Sequence, residues 1–241
     1  MKIEFKETLD VNTVRCTTSD ERWYQHPITK NWLPSSTWIS SYVPSKELAI
    51  WMAKKGFDES EIIKNEAAAR GSRVHKAIEI LSTGGTISHD EKLTDGEGNY
   101  NEITVEEYDR IISFVHWVDE MKPKFISTEK TVFNTKHNYA GTLDAIVEIE
   151  GKRYILDYKT SANIYLSHEV QISSYFHSDD IEVEGLAILQ VGYNKNKKGF
   201  KFTELEDKFP LFLSAMSFWS EENLGKMPKQ KDYPTTLKLG V

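Results

Sequence analysis

The segment Tyr139–Lys159 constrains the fold of this chain more than any other part of the sequence. It contains two runs of apolar and β-branched residues on either side of Glu150-Gly151, and such a dipeptide is typical of a two-residue hairpin turn. With these two residues as the loop, Asp144 lies directly opposite Asp157, with side chains on one face and Cβ atoms about 5 Å apart. The segment therefore predicts two antiparallel strands that bring two carboxylates together.

The charges on this strand pair need a physical reason, since their neighbours are mostly apolar. Lys159 follows Asp157 by two residues and so lies on the same face. A divalent cation would remove the repulsion between the two carboxylates, and their oxygen atoms suit one or two Mg²⁺ or Mn²⁺ ions. Beside such an ion, Lys159 can orient or deprotonate a water molecule and offset charge on a phosphate oxygen. The alternative is a surface ion-pair cluster in which Lys159 neutralises both aspartates.

Outside this hairpin the sequence predicts helices around a mixed β-sheet. An irregular aromatic stretch, Trp23–Pro34, precedes the helices, and the acidic stretch around Gly98 is predicted to be a loop. The predicted helices are 46–55, 60–81, 105–121, 163–177 and 208–224, and the predicted strands are 125–133, 139–149, 153–158, 184–193 and 200–205. We therefore expect one α/β domain, 1–241, with a helical N-terminal third, a mainly helical part at about 35–122 and an α/β part at about 123–224.

Composition narrows the class of protein. Cys16 is the only cysteine, which excludes an intramolecular disulfide, a multi-cysteine zinc site and a four-cysteine iron–sulfur cluster, and favours a reducing, cytoplasmic compartment. No run of about 20 apolar residues occurs, so we expect no membrane partner. The net charge is −7, but Asp90–Asp109 holds eight acids against Lys92 alone, and eight minus one is seven. The remainder is neutral and is compatible with a groove that binds nucleic acid.

Four short motifs follow one another along the chain with sensible spacing. They resemble, in this order, the GxxxH, GxxD, DxK and QxxxY motifs of the PD-(D/E)xK nuclease superfamily in its RecB-like exonuclease branch, including mitochondrial genome maintenance exonucleases and phage-type relatives. The matching segments are Gly71–His75, Gly141–Asp144, Asp157–Lys159 and Gln171–Tyr175. Each motif alone is weak, but the ordered set is specific, and the resemblance covers roughly residues 22 to 193. It implies a restriction-endonuclease-like core.

The resemblance also implies roles for single residues. Asp144 and Asp157 would be metal ligands, with the backbone carbonyl of Tyr158 as a third, and Lys159 would be the catalytic lysine. His75 would be a metal ligand or lie beside the metal. Gly71, one turn earlier on the same helix face, is expected to let that helix approach closely.

Further residues are expected around this centre. Gln171 and Tyr175 are four residues apart on one helix face, and the resemblance implies that they support the site, contribute to catalysis and contact DNA phosphate. Glu129 is either a further metal ligand or a solvent-facing strand acid. Three basic residues near His75 on its helix are candidates for DNA phosphate, and these are Arg70, Arg73 and Lys76.

The function that the resemblance implies is a metal-dependent deoxyribonuclease, in replication, recombination or repair. An exonuclease on single strands or DNA ends is favoured over a structure- or site-specific endonuclease, and an inactive DNA-binding or assembly module is the third alternative. An iron–sulfur cluster is excluded. No GxxxxGK[ST] motif is present, so unwinding would need a helicase or recombination partner. A bacterial or phage-infected cell is the compartment that the relatives suggest.

Overall fold

The computed structural model of the chain describes residues 5–8, 13–17, 21–95 and 98–228. Its strands are β1 (Phe5–Thr8), β2 (Val14–Thr17), β3 (Arg22–Gln25), β4 (Trp32–Pro34), β5 (Lys92–Thr94), β6 (Tyr100–Glu102), β7 (Lys124–Asn134), β8 (Tyr139–Ile149), β9 (Lys152–Lys159), β10 (Gly185–Val191) and β11 (Phe200–Leu205). Its helices are α1 (Ser36–Ser40), α2 (Lys46–Lys55), α3 (Phe57–Ser82), α4 (Val105–Met121), α5 (Leu166–Phe176) and α6 (Phe209–Glu222).

The centre of the molecule is a five-stranded sheet in the order β11-β10-β9-β8-β7. Strands β9 and β10 run parallel and the other neighbours are antiparallel, so the predicted mixed sheet is confirmed. The predicted hairpin is confirmed as well, with Ile149 paired to Lys152. Glu150 (φ 51°) and Gly151 (φ 80°) both have left-handed backbones, which is the requirement of a type I′ turn.

Helices cover both faces of this sheet, as an α/β fold requires. On one face, α3 and α4 bury Ile78, Phe114 and Trp117 against the sheet residues Val147 and Leu156. On the other face, α5 packs through Ile172 and Tyr175 against Ile155 and its neighbours. Among the described helices, none is long and apolar enough to cross a bilayer.

The prediction of a loop at the N-terminus, in an otherwise helical first third, is wrong. The stretch Trp23–Pro34 contains two strands of a four-stranded antiparallel sheet, β1 to β4. Trp23 packs against α6 residues on one side, while Tyr24 packs against Ala140 of β8 on the other. Because both sides are covered, the strand shows no alternation of apolar and polar residues, and the periodicity that identifies a half-buried strand is missing. The acidic stretch likewise contains a short hairpin, β5–β6.

Candidate functional site

The candidate site lies where strands β8 and β9 separate. Their ladder of backbone pairs ends at Ala145 and Leu156. Beyond this point the Tyr158 N–H donates a hydrogen bond to Oδ2 of Asp144 at 2.7 Å. Asp144 and Asp157 are therefore not partners in the ladder as the hairpin geometry predicted, because the Asp144 side chain takes the hydrogen bond itself.

Asp157 and Lys159 form a nearly buried ion pair. Lys159 Nζ lies 2.6 Å from Asp157 Oδ2, and the side chains are 18% and 5% exposed. Burial raises the pKa of Asp157 to about 6, although the Lys159 charge opposes this rise. Burial alone would lower the pKa of Lys159, but Asp157 and Asp144 outweigh it and hold that pKa above its ordinary value. The pair is costly to keep in an apolar sheet, which is typical of a functional position.

His75 brings helix α3 to the same place. Its Nδ1 lies 3.5 Å from Asp144 Oδ2, and its ring meets the ring of Tyr158 edge-on at 5.8 Å. Burial would lower the pKa of His75, but the Asp144 charge raises it overall. Burial would likewise raise the pKa of Asp144, yet His75, Lys159 and the Tyr158 N–H hold it below its ordinary value. The four predicted site residues are thus within electrostatic reach of one another.

Glu129 extends this cluster from strand β7. Its neighbours Thr128 and Lys130 pair with Ala145 and Leu143, which places Glu129 across from Asp144. Its φ of 48° is left-handed, a strained conformation for a residue in the middle of a strand. Burial, followed by the negative charge of Asp144, raises the pKa of Glu129 to about 7. The side chain is nevertheless solvent-exposed, so Glu129 lies at the open edge of the cluster, and its role as a metal ligand stays a prediction.

We expect Glu129→Gln to stabilise the protein at pH 8 in EDTA. Because the folded-state pKa is about 7 against 4.5 for the free side chain, folded Glu129 holds a proton that the unfolded chain has released. Stability then falls as the pH rises from about 4.5 to about 7. Glutamine keeps the shape without the charge. Because the side chain is solvent-exposed and its interactions are screened, urea unfolding should show a gain of only about 0.5–1 kcal/mol at pH 8 and none at pH 4.

Glu150→Gln is the matched control, because Glu150 has the same backbone conformation (φ 51°) in an exposed turn. It should leave the unfolding free energy unchanged at both pH values. Superimposable curves for Glu129→Gln and the wild type at pH 8 would show that the Glu129 carboxylate is not held in an unfavourable environment.

Gln171 and Tyr175 support the site from helix α5. Gln171 Nε2 lies 2.8 Å from Tyr175 Oη and 3.2 Å from Thr37 Oγ1, and donates to both. Tyr175 is only 1% exposed, so its predicted contact with DNA phosphate is wrong: a buried ring cannot reach the nucleic acid. Gln171 is partly exposed and remains a candidate for that contact.

The glycine of the GxxD motif has a steric explanation. A Cβ atom added to Gly141 would lie 2.5 Å from Cε1 of Tyr175 and 3.2 Å from Oγ of Ser36, and the first distance is far inside van der Waals contact. Gly71 is different, because a Cβ there would meet Thr160 Oγ1 at an ordinary 3.5 Å. The helix thus approaches Thr160 closely at Gly71, as expected, but a methyl group would also fit there.

Gly141→Ala should consequently destabilise the protein by about 1–3 kcal/mol, the usual cost of overpacking. Displacement of Tyr175 would also move Gln171 and slow any reaction at the site. Gly71→Ala serves as the control and should be neutral or stabilising by roughly 0.5–1 kcal/mol, because alanine favours the helix. Thermal unfolding of both variants measures the difference, and equal midpoints would contradict the steric explanation.

The three residues of α3 that are predicted to bind phosphate do not share one environment. Arg70 is half-exposed and lies 3.9 Å from Glu66, and Lys76 lies 2.8 Å from Glu79. Arg73, in contrast, is 8% exposed and donates to Glu107 from Nε at 3.0 Å and from Nη2 at 2.5 Å. Its predicted role as a phosphate ligand is wrong, because the buried ion pair joins α3 to α4.

Sequence reasoning missed several residues near the site. Gln190 is 2% exposed, and its Nε2 donates to the carbonyls of Ser161 and Ala162, each at 3.1 Å. It thus fixes the segment that follows Lys159. A lone amide in the apolar strand β10 was the available signal, since a buried polar group needs partners. Two further charges act on Glu129, namely Glu79 and Arg15, and the charge of Lys159 acts on His168.

The side-chain atoms that could coordinate a metal ion are the next feature of the site. Among the residues that the structure describes, no three His, Cys, Asp or Glu side chains form a recognised metal-binding group. Asp157 Oδ2 is buried, and the neighbour described for it is the Lys159 ammonium at 2.6 Å. A buried carboxylate oxygen of this kind, with Asp144 and His75 close by, fits a hard divalent cation.

Comparisons with known proteins add little to this geometry. No family model matches the sequence, and no curated protein matches it. A solved structure titled "Crystal structure of SSO0001" is 16% identical with a TM-score of 0.30, over 48% of this chain and 60% of that one. The match thus spans less than two thirds of that chain, and at this TM-score we draw no inference from it.

Proposed function

We propose that this protein is a metal-dependent deoxyribonuclease that hydrolyses phosphodiester bonds with Mg²⁺ or Mn²⁺. The observation that carries the proposal is the gathering of Asp144, Asp157, Lys159 and His75 where two strands separate within an apolar sheet. The order of the four motifs, and their resemblance to PD-(D/E)xK nucleases with a restriction-endonuclease-like core, support the same function.

Asp144 and Asp157 would hold one or two ions, with His75, Glu129 and the Tyr158 carbonyl as additional ligands. The bound ion supplies a Lewis acid that offsets the charge developing on the scissile phosphate. Lys159 lies beside Asp157, where its ammonium can orient the attacking water and donate to a phosphate oxygen. Gln171 and Arg70 offer further donors to the DNA backbone.

Within this function we favour an exonuclease on single-stranded DNA or DNA ends, in the bacterial or phage-infected cytoplasm and with a helicase or recombination partner. This choice rests on the sequence resemblance. The largely buried charges of Asp157 and Lys159 disfavour an inactive binding module, because buried charges without a function lower the stability of a fold.

Digestion of end-labelled linear single strands, linear duplex and circular single strands tests the proposal, each with Mg²⁺, Mn²⁺ or EDTA. We expect metal-dependent shortening of the linear single strand and an intact circle. Cleavage of the circle would replace the exonuclease by an endonuclease. DNA binding without cleavage in any metal would reduce the protein to a binding module.

A further inference from the structure

His168 is a partly buried histidine in the first turn of helix α5. It precedes Gln171 by three residues and Tyr175 by seven, so the three side chains lie on one face of the helix. Gln171 on this face lies within hydrogen-bond distance of Thr37 and of Tyr175, and the ring of His168 is close enough to Lys159 for its positive charge to lower the pKa of the imidazole.

Hydrogen bonding defines which ring nitrogen of His168 carries the proton. The Tyr165 N–H donates to Nδ1 of His168 at 3.4 Å, as the first turn of a helix requires. Nδ1 is then the acceptor of a neutral imidazole, and Nε2 must carry the hydrogen. Burial, and after it the charge of Lys159, lowers the pKa of His168 to about 3. The ring is therefore neutral over the physiological range and offers one N–H donor.

A neutral donor suits this position better than a second cation. A phosphodiester bound at the site needs directed hydrogen bonds, and another positive charge next to Lys159 would repel its ammonium. An N–H donor on the α5 face adds a directed contact without that repulsion.

We propose that His168 binds the nucleic-acid strand by donating a hydrogen bond from Nε2 to a phosphodiester oxygen beside Lys159. The inference rests on the proposed function and deepens it by naming a positioning residue for the substrate backbone. The competing explanation is purely structural, with His168 serving only to cap the N-terminus of α5 through Nδ1.

Two conservative substitutions separate these roles. In His168→Asn the side-chain oxygen can replace Nδ1 as the acceptor for the Tyr165 N–H, but the distal donor is lost. In His168→Gln the amide N–H can replace the distal donor, but the acceptor near Tyr165 is lost. His26→Asn is the matched control, because Nδ1 of His26 accepts the N–H groups of Ile28 and Thr29 in the same manner.

The measurements are the affinity for a fluorescein-labelled single strand in EDTA, the single-turnover cleavage rate in Mg²⁺ and the midpoint of thermal unfolding. We expect His168→Asn to weaken DNA binding about tenfold, the loss of one charge-assisted hydrogen bond, with an unchanged midpoint. His168→Gln should keep the affinity within about threefold while its midpoint falls by a few degrees, and His26→Asn should bind as the wild type does.

The reverse pattern, with His168→Asn binding normally and His168→Gln weakened, would overturn the inference in favour of a capping role. Normal affinity in both variants would overturn it as well. A wild-type protein that neither binds nor cleaves DNA would refute the proposed function, and the inference with it. This outcome differs from a failure of the inference alone, because it is seen in the wild type without any variant.

Discussion

We expect Lys159→Met and Asp157→Asn each to slow the proposed metal-dependent DNA cleavage by about 10²–10⁴-fold, the range expected when a catalytic donor or an ionised catalytic group is removed. Methionine fills the space of the lysine stem but cannot donate to the phosphate or the attacking water. Asparagine keeps the shape of Asp157 without the charge that would hold the metal ion. The measurement is single-turnover cleavage of a labelled single strand at saturating Mg²⁺.

Both variants should remain folded, which separates a loss of catalysis from a loss of structure. When the ammonium of Lys159 is removed, the pKa of Asp157, already raised to about 6 by burial, rises further. The carboxyl group then takes up a proton instead of leaving a buried charge. In Asp157→Asn the buried carboxylate charge is removed, and Asp144 remains as the negative charge that stabilises the Lys159 ammonium.

Lys152→Met is the matched control, since Lys152 lies on the same strand, β9, at its other end and pairs with Glu204 near the surface. It should cleave DNA at the wild-type rate. Normal cleavage by either site variant would refute the assignment of Asp157 and Lys159 to the reaction.

The hairpin was predictable from the sequence because its turn chemistry is local. Glu150-Gly151 determines the register of the two strands, and the observed pairs follow it from Ile149 to Ala145. What the sequence could not predict is the point at which the strands separate. The separation depends on the hydrogen bond that the Asp144 carboxylate accepts from the Tyr158 N–H. It also depends on the left-handed backbone of Glu129 on the neighbouring strand, a conformation that the residue type does not predict.

The N-terminal sheet illustrates a second limit of sequence reasoning. Helical spacing correctly identified the helices from Lys46 onward, because each has one apolar face. Strands β3 and β4 are covered on both sides, by α6 and by β8, and without alternation they resemble a loop rich in aromatic residues. Tertiary contacts supplied by distant parts of the chain decide their structure.

Arg73 shows the same limit on the helix that carries His75. From its position in the helical pattern alone, Arg73 is as good a candidate for binding phosphate as Arg70. Its partner Glu107 is 34 residues away in the sequence, on a helix whose packing against α3 cannot be read from either segment. Only the structure shows that one arginine is buried and the other half-exposed.

Arg73→Met should therefore lower the free energy of unfolding by about 3–5 kcal/mol, because it leaves the Glu107 charge buried without its counter-ion. Glu107 Oε2 would still accept from the N–H and hydroxyl of Thr104, at 2.7 and 2.9 Å, whereas Oε1 would lose both hydrogen bonds from Arg73. The double variant Arg73→Met/Glu107→Gln should recover part of the loss, since glutamine carries no charge that needs compensation. Urea unfolding of the two variants and the wild type measures the difference.

The contrast with Arg70 decides whether Arg73 has any part in binding DNA. At a temperature where Arg73→Met is still folded, its affinity for a single strand and the salt dependence of that affinity should match the wild type. Arg70→Gln should leave the free energy of unfolding unchanged. Its affinity for DNA should depend less steeply on salt concentration, with a slope smaller by about one unit for the loss of one phosphate contact. A folded Arg73→Met protein with a shallower salt slope would return Arg73 to the DNA interface, and would mean that the Arg73–Glu107 pair opens when the nucleic acid binds.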